Sequence, residues 1–149
     1  MNALAAAGGG FLLAVLWFDL MFDVQVIPDR GHELPEEVLA SIASYYRRVT
    51  TAARPMNRLI ALVMLATLAA IVVEIVHRDG PGWVPWASLA VAVPPIALAG
   101  IRTVPSAVQL GTRRDPTQRQ SELARSICRQ HLFCASAIAA LLVLQLAFA

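Results

Sequence analysis

"GGFLLAVLWFDLMFDVQV", residues 9–26, is apolar enough to cross a bilayer, yet it carries two aspartates, Asp19 and Asp23, one helical turn apart near its end. A helix needs about 20 mostly apolar residues to span the hydrocarbon core. An aspartate at the centre of such a helix costs about 2.5–3.5 kcal/mol, and less toward the interface. A span that keeps two of them is expected to set them against polar partners inside a protein. Three further runs are long and apolar enough, so spans are expected at about 4–26, 57–76, 83–101 and 127–148. The expected fold is therefore all-α, a four-helix transmembrane bundle in which residues 1–149 form a single integral membrane domain.

Composition agrees with this pattern. Hydrophobic residues make up 58% of the chain and the mean hydropathy is +0.63, against an apolar share of roughly 45–50% in soluble domains. No cationic stretch precedes the first apolar run and no small-residue cleavage site follows it, so it is expected to be a retained span rather than a signal peptide. All twelve basic residues are arginine, and eleven flank the first and third connections; only Arg78 marks the second. By the positive-inside rule those two connections face the cytoplasm and both termini lie outside, in the inner (plasma) membrane of a bacterial cell. The guanidinium groups then serve topology and lipid headgroups, and nucleic acid is not an expected partner. Cys128 and Cys134, six apart on one predicted helix, point to different faces and do not bridge each other.

Between the first two spans the pattern changes to an amphipathic helix over about 35–53. Pro35 starts it, Glu36 and Glu37 occupy its first turn, and Arg47 and Arg48 lie toward its end, as the helix dipole favours. Val38, Leu39, Ile42, Tyr45, Tyr46 and Val49 form one stripe. This helix is expected on the cytoplasmic surface of the membrane or against the bundle, either at rest there or as a lid. Gly8, Gly9 and Gly10 point to close helix packing or to a locally unwound ligand site. Pro85, Pro94 and Pro95 predict a kinked or broken third span, closed by Gly100 and Arg102. Asp115 as cap, Pro116 at the first helical position and Gln118 as capping-box partner predict the start of a helix that runs to Phe148.

The topology brings one set of helix ends together. Asp19 and Asp23 fall at the level of Asn57, Arg58, Arg102, Arg125, Arg129, Gln130 and His131. One reading is an ion-paired ring that locks the helix ends. A second is general acid–base chemistry on a lipophilic substrate, with Asp19, Asp23 and His131 as candidate catalytic groups and Asn57, Arg58, Arg102 and Arg129 as candidate substrate-binding groups. In it Asp19 is base or anchor, Asp23 its modulator and Arg102 the counter-charge. A proton or ion pathway is a third. A metal held by the carboxylates with His131 and Cys128 is the least specific, because a lone Cys-x-x-His on a helix is a common accident. Glu74 and His77 have the Glu-x-x-His spacing of di-iron bundles but lie roughly 24 Å from the aspartates at about 1.5 Å per residue. They are expected to be an outer-interface polar pair. His77 and His131 sit near opposite faces, which disfavours a bis-histidine haem; the residues assign no cofactor.

The order of spans, "RPMNRL" at the start of span two (54–59), Arg102-x-x-Pro105 after span three, and the Arg125 to His131 spacing before span four resemble a group of small four-span membrane proteins. That group includes the anthrone-oxygenase-like family and related tetraspan proteins of uncharacterised role. The acidic "FDLMFD" departs from its pattern. The resemblance implies oxidation of a hydrophobic aromatic substrate without an obvious cofactor, or another membrane role, and carries Asp19, Arg102 and His131 forward. The expected function is a small integral membrane protein with an ionisable small-molecule site near the cytoplasmic ends of its helices. The alternatives are an accessory or structural subunit of a larger membrane complex, and an oligomeric transporter or channel. Expected partners are the lipid bilayer, a lipophilic small molecule, and further copies or subunits.

Overall fold

Asn2–Asp23 form α1 in the computed structural model, which describes residues 2–77 and 81–148. A tight turn at Val24–Val26 ends α1, and α2 follows over Glu36–Arg47. A wide π-type turn, Arg48–Ala52, leads into α3, Arg54–His77. The chain then runs through α4 (Trp83–Leu98), a second wide turn (Ala99–Thr103), α5 (Val104–Thr112) and α6 (Thr117–Ala147). No strand occurs among the described residues. Four continuous helical paths, Ala3–Val26, Pro55–His77, Trp83–Thr112 and Thr117–Ala147, are long and apolar enough to cross a membrane. Their outward faces carry Trp17, Leu62, Leu65, Val76, Val143 and Leu146, all exposed, as a bundle whose solvent is lipid requires.

Close approach at small residues sets the crossing of α1 and α3. A Cβ on Gly8 would lie 2.1 Å from Thr67 Oγ1, so any larger residue would force Thr67 or the helix to move. That assigns Gly8 to packing; Gly10 meets nothing, and α1 is helical through all three glycines, so no unwound ligand site forms there. Around this crossing Ala5, Leu12, Ala70, Ile71, Ala92, Ile138 and Leu141 form one apolar core. A second core, at the end where the arginines gather, is built from α2, α5 and α6 around Leu39, Ile42, Tyr46, Leu110 and Ile127.

The stripe of α2 is thus buried against the bundle, with Leu39, Ile42, Ala43 and Tyr46 inward. Gly111 of α5 lets the two backbones meet, because a Cβ there would lie 3.1 Å from the Arg47 nitrogen. Arg113, in the left-handed conformation at the end of α5 (φ 56°), pairs with Glu36 and ties the two helices again. Arg125 of α6 holds the preceding loop by donating to the carbonyls of Gly31 (2.6 Å) and His32 (3.2 Å), and Leu34 N donates to Ser121 Oγ (2.9 Å).

Two local expectations are corrected. The third helix is not broken at Pro94 and Pro95, and its helical path does not end at Arg102. Helix α4 continues through both prolines although they remove two backbone donors, and the wide turn at 99–103 comes just ahead of Pro105, whose ring has no N–H for the carbonyl of residue 101 and crowds it, before the helical path resumes as α5. Asp115 and Gln118 make no capping box, since α6 has no side-chain cap. Asp115 Oδ2 is taken by Gln109 Nε2 (3.1 Å), and Gln120 Nε2 instead donates to the Asp115 carbonyl (2.5 Å).

Candidate functional site

Asp19 and Asp23 lie on the face of α1 turned toward α2 and α6, and their partners are two tyrosines and a histidine. Tyr45 Oη donates to Asp19 Oδ1 (2.7 Å), and Tyr46 Oη donates to Asp23 Oδ1 (2.6 Å). His131 Nδ1 lies 2.6 Å from Asp23 Oδ2. With Asp23 ionised, that contact places the proton on Nδ1 and leaves Nε2 free to accept. Nε2 points toward Asp19, 3.8 Å from its Oδ2. The five side chains make one line, Tyr45–Asp19–His131–Asp23–Tyr46, in which every carboxylate has a donor.

Each ring is held from behind. Phe22 stacks on Tyr45 with centroids 4.1 Å apart and planes 10° apart, and Tyr46 lies edge-on to Tyr45. Tyr46 is 2% exposed and Asp23 is fully buried. Burial, then the neighbouring carboxylate, pushes both phenols well above their ordinary value of 10.0: Asp19 acts on Tyr45 and Asp23 on Tyr46. The phenols therefore stay protonated and serve as donors.

One side of this line opens on a cavity of about 430 Å³ between the two apolar cores. Its walls are almost wholly apolar, with side chains such as Phe11, Ile60, Met64 and Ile96. Its polar margin is Asp19, Tyr45, Tyr46, Asn57, His131 and the hydroxyls of Thr50 and Thr103. Asp23 is absent from the lining and stands behind His131. Phe18 of α1, Met56 of α3 and Val104 of α5 line the cavity while being exposed, so its open side faces sideways among these three helices, toward the outer surface of the bundle. A concave apolar chamber of this size with a few convergent polar groups is the usual form of a small-molecule site.

The structure thus gathers Asp19, Asp23 and His131, and adds Asn57, whose Nδ2 donates to the Thr50 carbonyl (3.2 Å) at the cavity edge. It does not bring the arginines there. Arg58, Arg102 and Arg129 are exposed, and none pairs with an aspartate among the described residues. A guanidinium at a helix end is better solvated by water and headgroups than by a buried carboxylate. Tyr45 and Tyr46 take that place. Both belong to the apolar stripe of α2, and the signal that marks them is two adjacent phenols on a buried face, where each hydroxyl must find a partner.

Glu74 and His77 are corrected as well. His77 is exposed, whereas Glu74 is 1% exposed and faces the bundle interior. Gln145 Nε2 donates to Glu74 Oε2 (3.1 Å) and to Ser88 Oγ (3.0 Å), joining α3, α4 and α6 in the other half of the bundle. Cys128 packs in the α2–α6 core, and Cys134 lies against the Pro95 carbonyl; both are free thiols. No family model, curated protein or solved structure matches the chain.

Proposed function

We propose that this small membrane protein binds a lipophilic small molecule in the cavity beside His131 and exchanges a proton with it. The observation that carries the reading is the pairing of an apolar chamber with a histidine whose far nitrogen is fixed by a buried carboxylate. In that arrangement His131 Nε2 is the base. Asp23 fixes the tautomer and orientation of the ring and stabilises the imidazolium formed when Nε2 takes a proton. Asp19, on the other side of Nε2, accepts a hydrogen bond from the ligand and is itself held by Tyr45. The counter-charge for a deprotonated ligand is the imidazolium, so Arg102 has no part in this step. The lateral mouth suits a ligand that arrives through the bilayer, and the likeness of "RPMNRL" and the Arg125 to His131 spacing to anthrone-oxygenase-like proteins favours an aromatic one. In this reading the arginine-bearing end faces the cytoplasm, with both termini outside, as the charge asymmetry favours.

The test is native mass spectrometry of the protein released gently from its own membrane. A bound small molecule is expected in the wild type. It should be lost in Ala99→Leu, which fills the cavity wall, and retained at least tenfold less in Asp19→Asn. Retention equal to wild type in both folded variants sinks the proposal, as does an empty wild type. A second polypeptide in fixed ratio without a small molecule would make the line of side chains a structural lock within a larger complex.

A further inference from the structure

Arg102 is the arginine that the site leaves unused, and it stands in a cleft of its own. On the wide turn and α5, Arg102, Pro105, Ser106 and Gln109 recur at three- and four-residue spacing and so share one face; on α6, Arg119, Glu122, Ser126 and Gln130 do the same. The two stripes face each other across a groove of about 280 Å³, lined mostly by polar side chains. Its inner wall is pinned: Thr103 Oγ1 donates to Gln130 Oε1 (2.8 Å), and Gln130 Nε2 donates to Ser126 Oγ (3.1 Å).

The cleft's charge is incompletely matched from within the chain. Arg119 meets Glu122 at 3.2 Å, but both side chains are 52% exposed, so the pair is screened and readily shared with another anion. Arg102 has no acceptor among the described residues. Two guanidinium groups thus face one carboxylate.

Depth identifies the occupant. Arg102 follows Trp83 by nineteen residues, roughly 28 Å at about 1.5 Å per residue, while the hydrocarbon core is about 30 Å thick. The exposed Trp83 and Trp86 mark the opposite boundary, as interfacial tryptophans do, and on that reading the guanidinium lies where acyl chains give way to headgroups. Ile101, 74% exposed, lines the groove on its apolar side, and Leu132 and Phe133 are exposed on α6 just beyond Gln130. We propose that this cleft binds the headgroup of an anionic glycerophospholipid, its phosphate between Arg102 and Arg119 and its acyl chains along Ile101 and Phe133. Planar guanidinium forks match phosphate oxygens bidentately, and basic clefts between spans at the headgroup level are where anionic lipids are held.

The experiment is native mass spectrometry of the full chain in detergent micelles with phosphatidylglycerol or phosphatidylcholine added at equal concentration. One phosphatidylglycerol should be retained at least tenfold more than phosphatidylcholine. Arg102→Gln should abolish that preference and Arg102→Lys should keep part of it. Arg129→Gln, an exposed arginine on α6 outside the cleft, should leave it unchanged, with thermal melting showing each variant folded. Equal retention of the two lipids overturns the proposal, and so does a loss in Arg129→Gln as large as in Arg102→Gln, which would reduce the effect to general charge. Displacement of the bound lipid by millimolar inorganic phosphate also overturns it, by assigning the cleft to a soluble anion.

Discussion

Asp23 shows how a carboxylate is kept inside an apolar helical bundle without an arginine beside it. Its two oxygens accept from Tyr46 and from His131 Nδ1, and a buried carboxylate with a donor on each oxygen is no longer an unsatisfied charge. Asp23→Asn should fold, because the amide can donate to an unprotonated Nδ1 once the histidine proton moves to Nε2. That shift turns the nitrogen facing the cavity from acceptor to donor. The expected result is a near-native melting temperature with a change of imidazole tautomer seen by nitrogen-15 NMR of His131, and loss of the proton-exchange step. His131→Ala instead leaves Asp23 with a single donor and should cost about 3–5 kcal/mol, read as a lower unfolding midpoint. Tyr46 adds a pH dependence. Its phenol is raised in the folded state above its ordinary value of 10.0. Above about pH 10 the unfolded chain therefore releases a proton that the folded chain keeps. Stability is present in full below that pH and falls as pH rises beyond it, by up to about 1.4 kcal/mol per pH unit for this group. The melting temperature should drop between about pH 9 and pH 11, and Tyr46→Phe should flatten the slope. The chain has no lysine, but Tyr45, Cys128 and Cys134 of the unfolded chain titrate in the same range, so the part that belongs to Tyr46 is the difference in slope between wild type and Tyr46→Phe. Asp19, Asp23 and His131 were legible at one level from span order and helix rise alone. The tyrosines were not, because periodicity assigns Tyr45 and Tyr46 to a buried face without saying which groups that face meets.

Helix α2 illustrates the same limit at the scale of an element. Its charges and stripe follow from the sequence, but its docking depends on Gly111, which is unremarkable in the chain until the Arg47 backbone is seen 3.1 Å from where a Cβ would stand. The third span is the opposite case. Two adjacent prolines predict a kink or a break, yet α4 stays helical through them, and the wide turn falls at 99–103, ahead of Pro105, whose ring crowds the carbonyl of residue 101. The α1–α3 crossing supplies a direct test of such packing. Gly8→Ala sets a methyl 2.1 Å from Thr67 Oγ1, a contact that forces the threonine or the helix to move. The expected cost is about 1–3 kcal/mol. Thr67→Ala removes the obstructing hydroxyl, so the double variant should recover much of the loss, and unfolding midpoints of the four proteins give the coupling directly. Additive losses would mean that the helices touch elsewhere.

At the scale of the molecule, polar groups are sorted by depth. One buried cluster, Glu74, Ser88 and Gln145, joins three helices in one half of the bundle. The tyrosine–aspartate–histidine line sits toward the other end, the apolar cavity beside it, and the arginines lie farther out at that end. This order is legible in outline, because arginines cluster at alternate connections; their depth is not, since span order puts them level with the aspartates while the side chains turn outward. Guanidinium groups at a membrane boundary find water and phosphate nearby, and burial against Asp19 would forfeit that hydration. The same charge asymmetry predicts orientation across the membrane. Thr51, exposed in the turn after α2, and Gly82, exposed before α4, mark opposite ends of the bundle. Cys128 and Cys134 are buried and should stay silent to a membrane-impermeant thiol reagent. In intact cells Gly82→Cys should therefore be labelled, and Thr51→Cys only after the membrane is opened. The reverse pattern would place the arginine-bearing end, the lipid cleft and helix α2 outside the cell. The cavity beside His131 would then lie toward the outer face, with its side mouth still open to the bilayer, because that mouth is set by the exposed lining of α1, α3 and α5 and not by which way the bundle is inserted.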